Sequence, residues 1–176
     1  MIPVFHAQPI LLSWSWIVND TQIAEKQVLC IGVGNDFRHD DAVGLVIARC
    51  LGDKHMDNIK VIEASGEGAS LMQLWAKYDR VIVIDAVKSG AKSGTIHHLN
   101  ANHFKIPSDF FSYSTHAFSV AEAIEMARTL GQLPDDLLVF GVEGEDFTMG
   151  QGLSDCVEAT VDVIVHEIEL LVAEAV

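Results

Sequence analysis

The sequence predicts an α/β fold in which helices cover both faces of a mostly parallel sheet of about five strands. Short apolar runs rich in β-branched residues alternate with helical patterns along the chain. The 176 residues suffice for one compact domain, and 49% of them are apolar, enough to cover a parallel sheet on both faces. We expect a single domain over residues 27–176, preceded by an extension over residues 1–26 that is either a partner-facing arm or a poorly ordered tail.

Five apolar runs have the length and composition of strands. They are Val28–Val33, Ile59–Ala64, Arg80–Val87, Gly94–Leu99 and Leu137–Val142. The fourth run alternates least cleanly, which is typical of an edge strand. Because helical patterns separate these runs, we expect the strands to be parallel or mostly parallel.

The helical patterns cover Asp41–Leu51, Ala69–Tyr78, Ala117–Leu130 and a long segment from Ser154 to about Ala175. In the last segment apolar residues recur every three or four positions and form one stripe: Leu153, Val157, Val161, Ile164, Ile168 and Leu171. Ser154 directly precedes this stripe and is the predicted N-cap.

Composition limits the partners. The chain has 11 Lys and Arg against 25 Asp and Glu, a formal net charge of −14, and no basic cluster, so nucleic acid and anionic membranes are poor partners. The apolar stretch Pro9–Val18 is short for a membrane span. The three cysteines are far apart and form no CxxC pair, which fits neither a disulfide framework nor a zinc knuckle and indicates a reducing, cytoplasmic setting.

The first strand leads into a glycine turn, Gly32-Val-Gly34, and then into two consecutive acids, Asp40 and Asp41. A phosphate site at such a turn needs free N–H groups and no acid, and the third glycine of a dinucleotide fingerprint is absent from this stretch. The acids instead favour a cation or a proton donor. We interpret Asp40 as the helix cap and expect Asp41 to project from the first turn.

Carboxylates lie at or just beyond the carboxyl ends of four of the predicted strands, where ligands bind in open α/β sheets. Besides Asp41 they are Glu63, Asp85, Glu143 and Glu145. Asp85 is the most informative, because it directly follows four apolar residues and is costly to bury without a partner. A role in capping a turn or bonding backbone N–H groups is the alternative.

His116 stands out among the eight histidines because it lies at a junction between a loop and a predicted helix. Together, Asp41, Asp85 and His116 would offer two carboxylate oxygens and one imidazole nitrogen, a set that suits zinc or nickel. The preceding segment, Asn100–Thr115, is the longest without clear structure, and both a functional loop and a flexible connector fit it.

The ordered motifs resemble the hydrogenase maturation endopeptidases, which process the large subunit of nickel–iron hydrogenases. The resemblance rests on Ile31-Gly-Val-Gly-Asn35, Asp40-Asp-Ala-Val-Gly44, Val83-Ile-Asp-Ala86, His116 before a helix, Gly141-Val142 with Glu145, and Gly152-Leu-Ser154. It runs from about Val28 to the C-terminus. It implies a three-layer α/β/α sandwich around a mixed, twisted sheet.

The resemblance also implies the chemistry. The substrate would be a hydrogenase large-subunit precursor already carrying nickel, from which the enzyme removes a short C-terminal extension. The nickel ligands and catalytic residues carry over to Asp41, Asp85 and His116, and other divalent ions such as zinc or cadmium could occupy the same site. The chain departs from the family pattern at Glu63, where Asp is common, at His39, and at Gly144, where Pro is common.

Two other functions fit the residues less well. A nickel-sensing chaperone or scaffold would bind the same precursor without cutting it. A nucleotide-using α/β enzyme would place a pyrophosphate against Asp40 and Asp41, whose charges oppose it.

Overall fold

The computed structural model describes residues 27–107, 110 and 118–173. The predicted extension over residues 1–26 lies outside this range, as do residues 174–176, so the predicted domain boundary stays a prediction. The strands are β1 (Val28–Val33), β2 (Ile59–Ala64), β3 (Arg80–Val87), β4 (Ile96–Asn100) and β5 (Asp136–Glu143). The helices are α1 (Val43–Asp53), α2 (Gly68–Trp75), α3 (Val120–Leu130) and α4 (Asp155–Ala173), and a 3-10 turn, His39–Ala42, precedes α1.

The strands form one sheet in the order β2-β1-β3-β5-β4. Strands β2, β1, β3 and β5 are parallel, and β4 runs antiparallel to β5 at the edge. Strand β5 therefore lies between β3 and β4, although it follows both of them in the chain. The predicted α/β class, the mostly parallel sheet and the edge position of the fourth strand are confirmed.

Helices pack on both faces of the sheet and make three layers. One apolar core joins α1 and α4 to one face, and the stripe predicted for the last helix lies in it, with Val157, Val161, Ile164 and Ile168 buried. The other core joins α2 and α3 to the opposite face through Leu71, Trp75 and Ile124 among others. None of the helices in the described part of the chain is long and apolar enough to cross a membrane.

Helix starts differ from the sequence prediction by one or two residues where both positions are described. Helix α1 begins at Val43 rather than Asp41, because residues 39–42 form the tighter 3-10 turn. Helix α2 begins at Gly68 because the Glu67 carboxylate accepts the N–H groups of Ala69 and Ser70. Helix α3 begins at Val120, after a capping box; Ala117, its predicted start, lies outside the described residues.

Glycines let the first helix approach the sheet closely. A Cβ on Gly44 would lie 2.3 Å from the carbonyl oxygens of both Val33 and Ile84, and one on Gly32 would lie 2.2 Å from the carbonyl oxygen of Gly44. A side chain at either position would therefore force the helix away from β1 and β3. This contact brings the 3-10 turn against the carboxyl ends of those strands.

Candidate active site

Asp41 lies in the 3-10 turn, at the carboxyl end of the parallel strands. Its backbone N–H donates to the carbonyl of Arg38 over 3.1 Å, and its carbonyl accepts from the N–H of Asn35 over 3.2 Å. The second bond connects the 3-10 turn to Asn35, the residue that follows the glycine turn. The Asp41 side chain is half-buried and acts electrostatically on Asp85 of the neighbouring strand.

Asp85 lies near the end of β3 and is only 7% exposed. Burial raises the pKa of its carboxyl well above the usual value, and the negative charge of Asp41 raises it further. The N–H of Ala86 donates to Asp85 Oδ1 over 2.8 Å and only partly opposes this rise. The predicted alternative, a carboxylate satisfied by backbone N–H groups, therefore accounts for little of its environment. Two neighbouring carboxylates that repel each other in a partly dry site favour a bound cation.

His116, the third predicted ligand, lies outside the described residues. Within residues 27–107, 110 and 118–173 no three His, Cys, Asp or Glu side chains gather closely enough to hold a metal ion. The described residues on either side of the histidine bond to the carboxyl side of the sheet. The Phe110 carbonyl accepts from Lys88, just after β3, and the Phe118 carbonyl accepts from Gly68 at the start of α2. The three-ligand set stays a prediction.

Asp40 does not cap a helix, so its predicted role is wrong. The carboxylate makes no capping bond within its own turn. It points away from the turn and accepts hydrogen bonds from Glu145, Asp146 and Ser154, which follow β5. Ser154 stands at the predicted start of α4, where its carbonyl accepts from Glu158, but its hydroxyl donates to Asp40.

The other strand-end carboxylates do not gather around Asp85. Glu63 is exposed and pairs with Arg49, whose Nη2 lies 2.5 Å from Glu63 Oε2. Glu145 is also exposed, and the thiol of Cys156 donates to it over 3.3 Å. Glu63 and Glu145 therefore have partners of their own at the surface, and Glu143 has a different set of partners inside the protein.

Glu143 ends β5 and is 2% exposed. Its carboxylate accepts the N–H and hydroxyl of Ser89 over 3.1 and 2.7 Å and the N–H of Gly90 over 2.8 Å. Burial raises the pKa of Glu143, but these bonds, together with His97 at 3.4 Å, outweigh it and hold the pKa below its usual value. Glu143 is thus a satisfied structural carboxylate.

The contact between His97 and Glu143 was not predicted from the sequence. His97 lies on β4, and its ring packs edge-on against Phe110, with ring centroids 4.9 Å apart. Phe110 in turn occupies the space beside Gly141 of β5, where a Cβ would lie 2.9 Å from the ring. An antiparallel β4 beside β5 is needed to bring His97 to Glu143, and the local sequence carries no signal for that pairing.

The glycine turn uses its N–H groups within the protein. Gly34 donates to Ala64, Asn35 to Asp41, and Phe37 to the side chain of Asn35. These bonds occupy donors that a pyrophosphate would need, so the geometry does not favour a nucleotide site at this turn.

A groove of about 350 Å³ runs beside the 3-10 turn. Its apolar lining includes Phe37, Ala42 and Leu153, and Arg49 lies at its edge. Phe37 is 61% exposed and Met149, on the adjoining segment, is 80% exposed. Large exposed apolar side chains beside a cleft are typical of a surface that binds another chain.

A family model described as hydrogenase maturation protease (HycI) matches residues 46–170 of the chain. The sequence is 27% identical over 146 residues to the hydrogenase 2 maturation protease of Escherichia coli (strain K12), covering 81% of this chain and 88% of that protein. It is 28% identical over 157 residues to a putative hydrogenase maturation protease of Methanocaldococcus jannaschii, covering 85% of this chain and 97% of that protein.

Solved structures have the same fold. The hydrogenase maturating endopeptidase HybD from E. coli superposes with a TM-score of 0.71 at 25% identity, over 85% of this chain and 93% of its own. The [NiFe] hydrogenase maturation protease HycI from Thermococcus kodakarensis KOD1 superposes with a TM-score of 0.68 at 20% identity, over 88% of this chain and 97% of its own. The three-layer sandwich implied by the sequence is the fold of these proteins.

Proposed function

Because this chain belongs to the hydrogenase maturation protease family, we propose that Asp41, Asp85 and His116 receive the nickel of a hydrogenase large-subunit precursor. The chain is an endopeptidase that processes such a precursor. In our proposal it removes a C-terminal extension from the nickel-loaded form. Nickel is then part of the substrate, and the protein reads it as a mark of a precursor ready for processing.

The juxtaposition of Asp41 and Asp85 carries the proposal. Burial and the charge of Asp41 both work against ionisation of Asp85, and a divalent cation reverses that balance because it attracts both carboxylates. Nickel accepts carboxylate and imidazole ligands. Zinc or cadmium suits the same donors and would serve as a probe of the site.

The peptide bond is cut by water. Nickel carried by the precursor supplies a Lewis acid beside the scissile bond. A carboxylate oxygen of the site takes a proton from a water molecule as the water oxygen attacks the peptide carbonyl carbon. The C–N bond then breaks, and the proton passes to the leaving amine.

We further propose that the precursor chain next to the scissile bond lies in the groove beside Ala42. This groove adjoins Asp41 along the chain, and Phe37 and Leu153 give it an apolar lining. We place the reaction in the cytoplasm, a setting that suits the three free thiols Cys30, Cys50 and Cys156.

The test compares cleavage of nickel-loaded and nickel-free precursor by mass spectrometry. We expect the wild type to cut only the loaded form, and Asp41→Ala, Asp85→Ala and His116→Ala each to lose processing. Normal processing by all three variants would contradict the proposed site.

Two matched variants control for a general effect of removing an acid or a histidine. Asp53→Ala at the exposed end of α1 and His166→Ala on the exposed face of α4 should process normally. Tight nickel-dependent association without any mass change in the precursor would instead indicate a binding protein that does not cut.

A further inference from the structure

Asp40 is a fully buried carboxylate, with 0% exposure. A buried anion is stable only when hydrogen-bond donors or a cation replace its hydration. Here N–H and O–H donors surround it. Its Oδ2 accepts the N–H groups of Glu145 and Asp146 over 2.7 and 2.8 Å, and its Oδ1 accepts the N–H of Ser154 over 2.7 Å.

The hydroxyl of Ser154 adds a further contact, 2.9 and 2.8 Å from the two oxygens of Asp40. The backbone N–H of Asp40 also donates to the carbonyl of Asp146 over 3.0 Å. We call this set of bonds between Asp40, Glu145, Asp146 and Ser154 the Asp40 latch. It ties the 3-10 turn to both ends of the segment 145–154, which joins β5 to α4.

Further bonds fasten the middle of that segment to the same turn. The guanidinium of Arg38 donates to the Phe147 carbonyl over 3.1 Å. Gly150 donates to the Phe37 carbonyl, and His39 donates to the Gly150 carbonyl. The turn and the segment 145–154 therefore behave as one body, whose centre is a buried charge.

Asp41 is the next residue in the chain and belongs to this body. Asp85 belongs to β3, a strand that the 3-10 turn contacts. The position of Asp41 relative to Asp85 thus depends on how the turn is held, and the latch is the buried part of that hold.

We propose that Asp40 is a positioning residue that fixes Asp41 against Asp85 through the Asp40 latch. The inference rests on the proposed function, because it assigns a geometry to the same site. Asp40 itself does not touch the precursor or its nickel. Loosening the latch would move the Asp41 oxygens without removing any proposed ligand, and groups that orient metal ligands commonly change affinity or rate by about 10- to 100-fold.

The main test variant is Ser154→Ala, which removes the hydroxyl bonds and leaves the backbone bonds of the latch. We expect kcat on nickel-loaded precursor to fall about tenfold, and KM to rise because the nickel that the precursor carries is bound less tightly. The affinity of the isolated protein for Ni²⁺, measured by titration calorimetry without precursor, should fall by a similar factor. Ser154→Thr keeps a hydroxyl and should restore both quantities.

Asp40→Asn is the stronger variant, because its amide NH₂ would face N–H donors. We expect larger losses of kcat and of Ni²⁺ affinity than for Ser154→Ala. If Asp40→Asn does not fold, the results for Ser154→Ala still test the inference.

Thr160→Val is the matched control. It removes a buried hydroxyl from α4, the helix that follows Ser154. This hydroxyl donates to the Val157 carbonyl over 2.6 Å and takes no part in the latch. We expect it to lower stability without changing kcat or Ni²⁺ affinity. Equal losses in Thr160→Val and Ser154→Ala would overturn the inference, since stability alone would then explain them.

Wild-type kcat and Ni²⁺ affinity in both latch variants would also overturn it. If Asp41→Ala abolishes processing at the same time, only the positioning role fails. If Asp41→Ala, Asp85→Ala and His116→Ala all process normally, the proposed function fails first.

Discussion

Asp85 and Glu143 are buried carboxylates on adjacent parallel strands, yet their surroundings are opposite. In the register of β3 and β5, Asp85 pairs with Gly141 and Val87 pairs with Glu143, so the two acids are two residue positions apart along the strands. Burial raises the pKa of Asp85, with Asp41 adding to the rise. Burial acts on Glu143 too, but its hydrogen bonds bring the pKa below the usual value.

The difference lies in the donors. Glu143 meets two backbone N–H groups, a hydroxyl and an imidazole, which replace its lost hydration. Within the described residues Asp85 meets one N–H and a second negative charge. A carboxylate whose lost hydration is replaced by hydrogen-bond donors stabilises the fold. A carboxylate that is repelled by a neighbouring negative charge is available to bind a cation.

The largest expected effect is on catalysis at Asp85. Asp85→Asn should slow processing of nickel-loaded precursor about a thousandfold, because a metal-facing carboxylate is lost. The free energy of unfolding of the metal-free protein should not fall, since a neutral amide is cheaper to bury there than a charge. Cleavage assays and urea unfolding measure the two quantities. A large loss of stability would mean that the Asp85 carboxylate stabilises the fold, as that of Glu143 does.

The second effect is on stability at Glu143. Glu143→Gln replaces an acceptor of several charge-assisted bonds and should lower the free energy of unfolding by about 2 kcal/mol. Urea unfolding at neutral pH gives the value. A neutral or stabilising result would show that the hydrogen bonds of Glu143 contribute no more than those of Asp85.

The third effect is a difference in pH dependence. Glu143 has a folded-state pKa below its usual value of 4.5, so its stabilisation is present above that pH and is lost as the pH falls through the folded-state value. Asp85 has a folded-state pKa above its usual 3.8, so wild type loses stability relative to Asp85→Asn as the pH rises from there.

Unfolding of metal-free wild type, Glu143→Gln and Asp85→Asn across the acidic range measures both slopes. The free energy of unfolding of wild type minus that of Glu143→Gln should rise with pH, whereas that of wild type minus that of Asp85→Asn should fall. If both differences changed with pH in the same direction, the contrast between Asp85 and Glu143 would be contradicted.

The smallest effect belongs to Glu63, an exposed glutamate in β2, at the opposite edge of the sheet from β4. Its pairing with Arg49 at the surface is screened by water. Glu63→Gln should therefore lower the free energy of unfolding by less than about 1 kcal/mol. This variant is the matched control for Glu143→Gln, and an equal loss in both would remove burial as the cause.

Much of the fold was predictable because it follows from local patterns. Strands β1, β2 and β3 have the predicted bounds, since a short β-branched run between turns has few other uses. The start of α1 was predicted two residues early, because acids at a 3-10 turn and acids at a helix start look the same in sequence. The insertion of β5 between β3 and β4 has no local signal.

The site was predictable only in part, for the same reason. Asp85 could be singled out because a carboxylate within an apolar strand is a local anomaly. The contact between Asp40 and Ser154 spans 114 positions, so Asp40 was mistaken for a cap. His116 was singled out by its position between a loop and a predicted helix, and its place beside Asp41 and Asp85 stays a prediction.

The late position of β5 in the chain has a consequence for the order of synthesis. Asp41, Asp85 and residue 116 all leave the ribosome before β5, the strand that must lie beside β3, and Ser154 follows later still. Chains fold from the N-terminus as they are made. A nascent copy therefore contains every proposed catalytic side chain before the scaffold that aligns them exists, and we expect it to remain inert toward peptide bonds until translation is nearly complete.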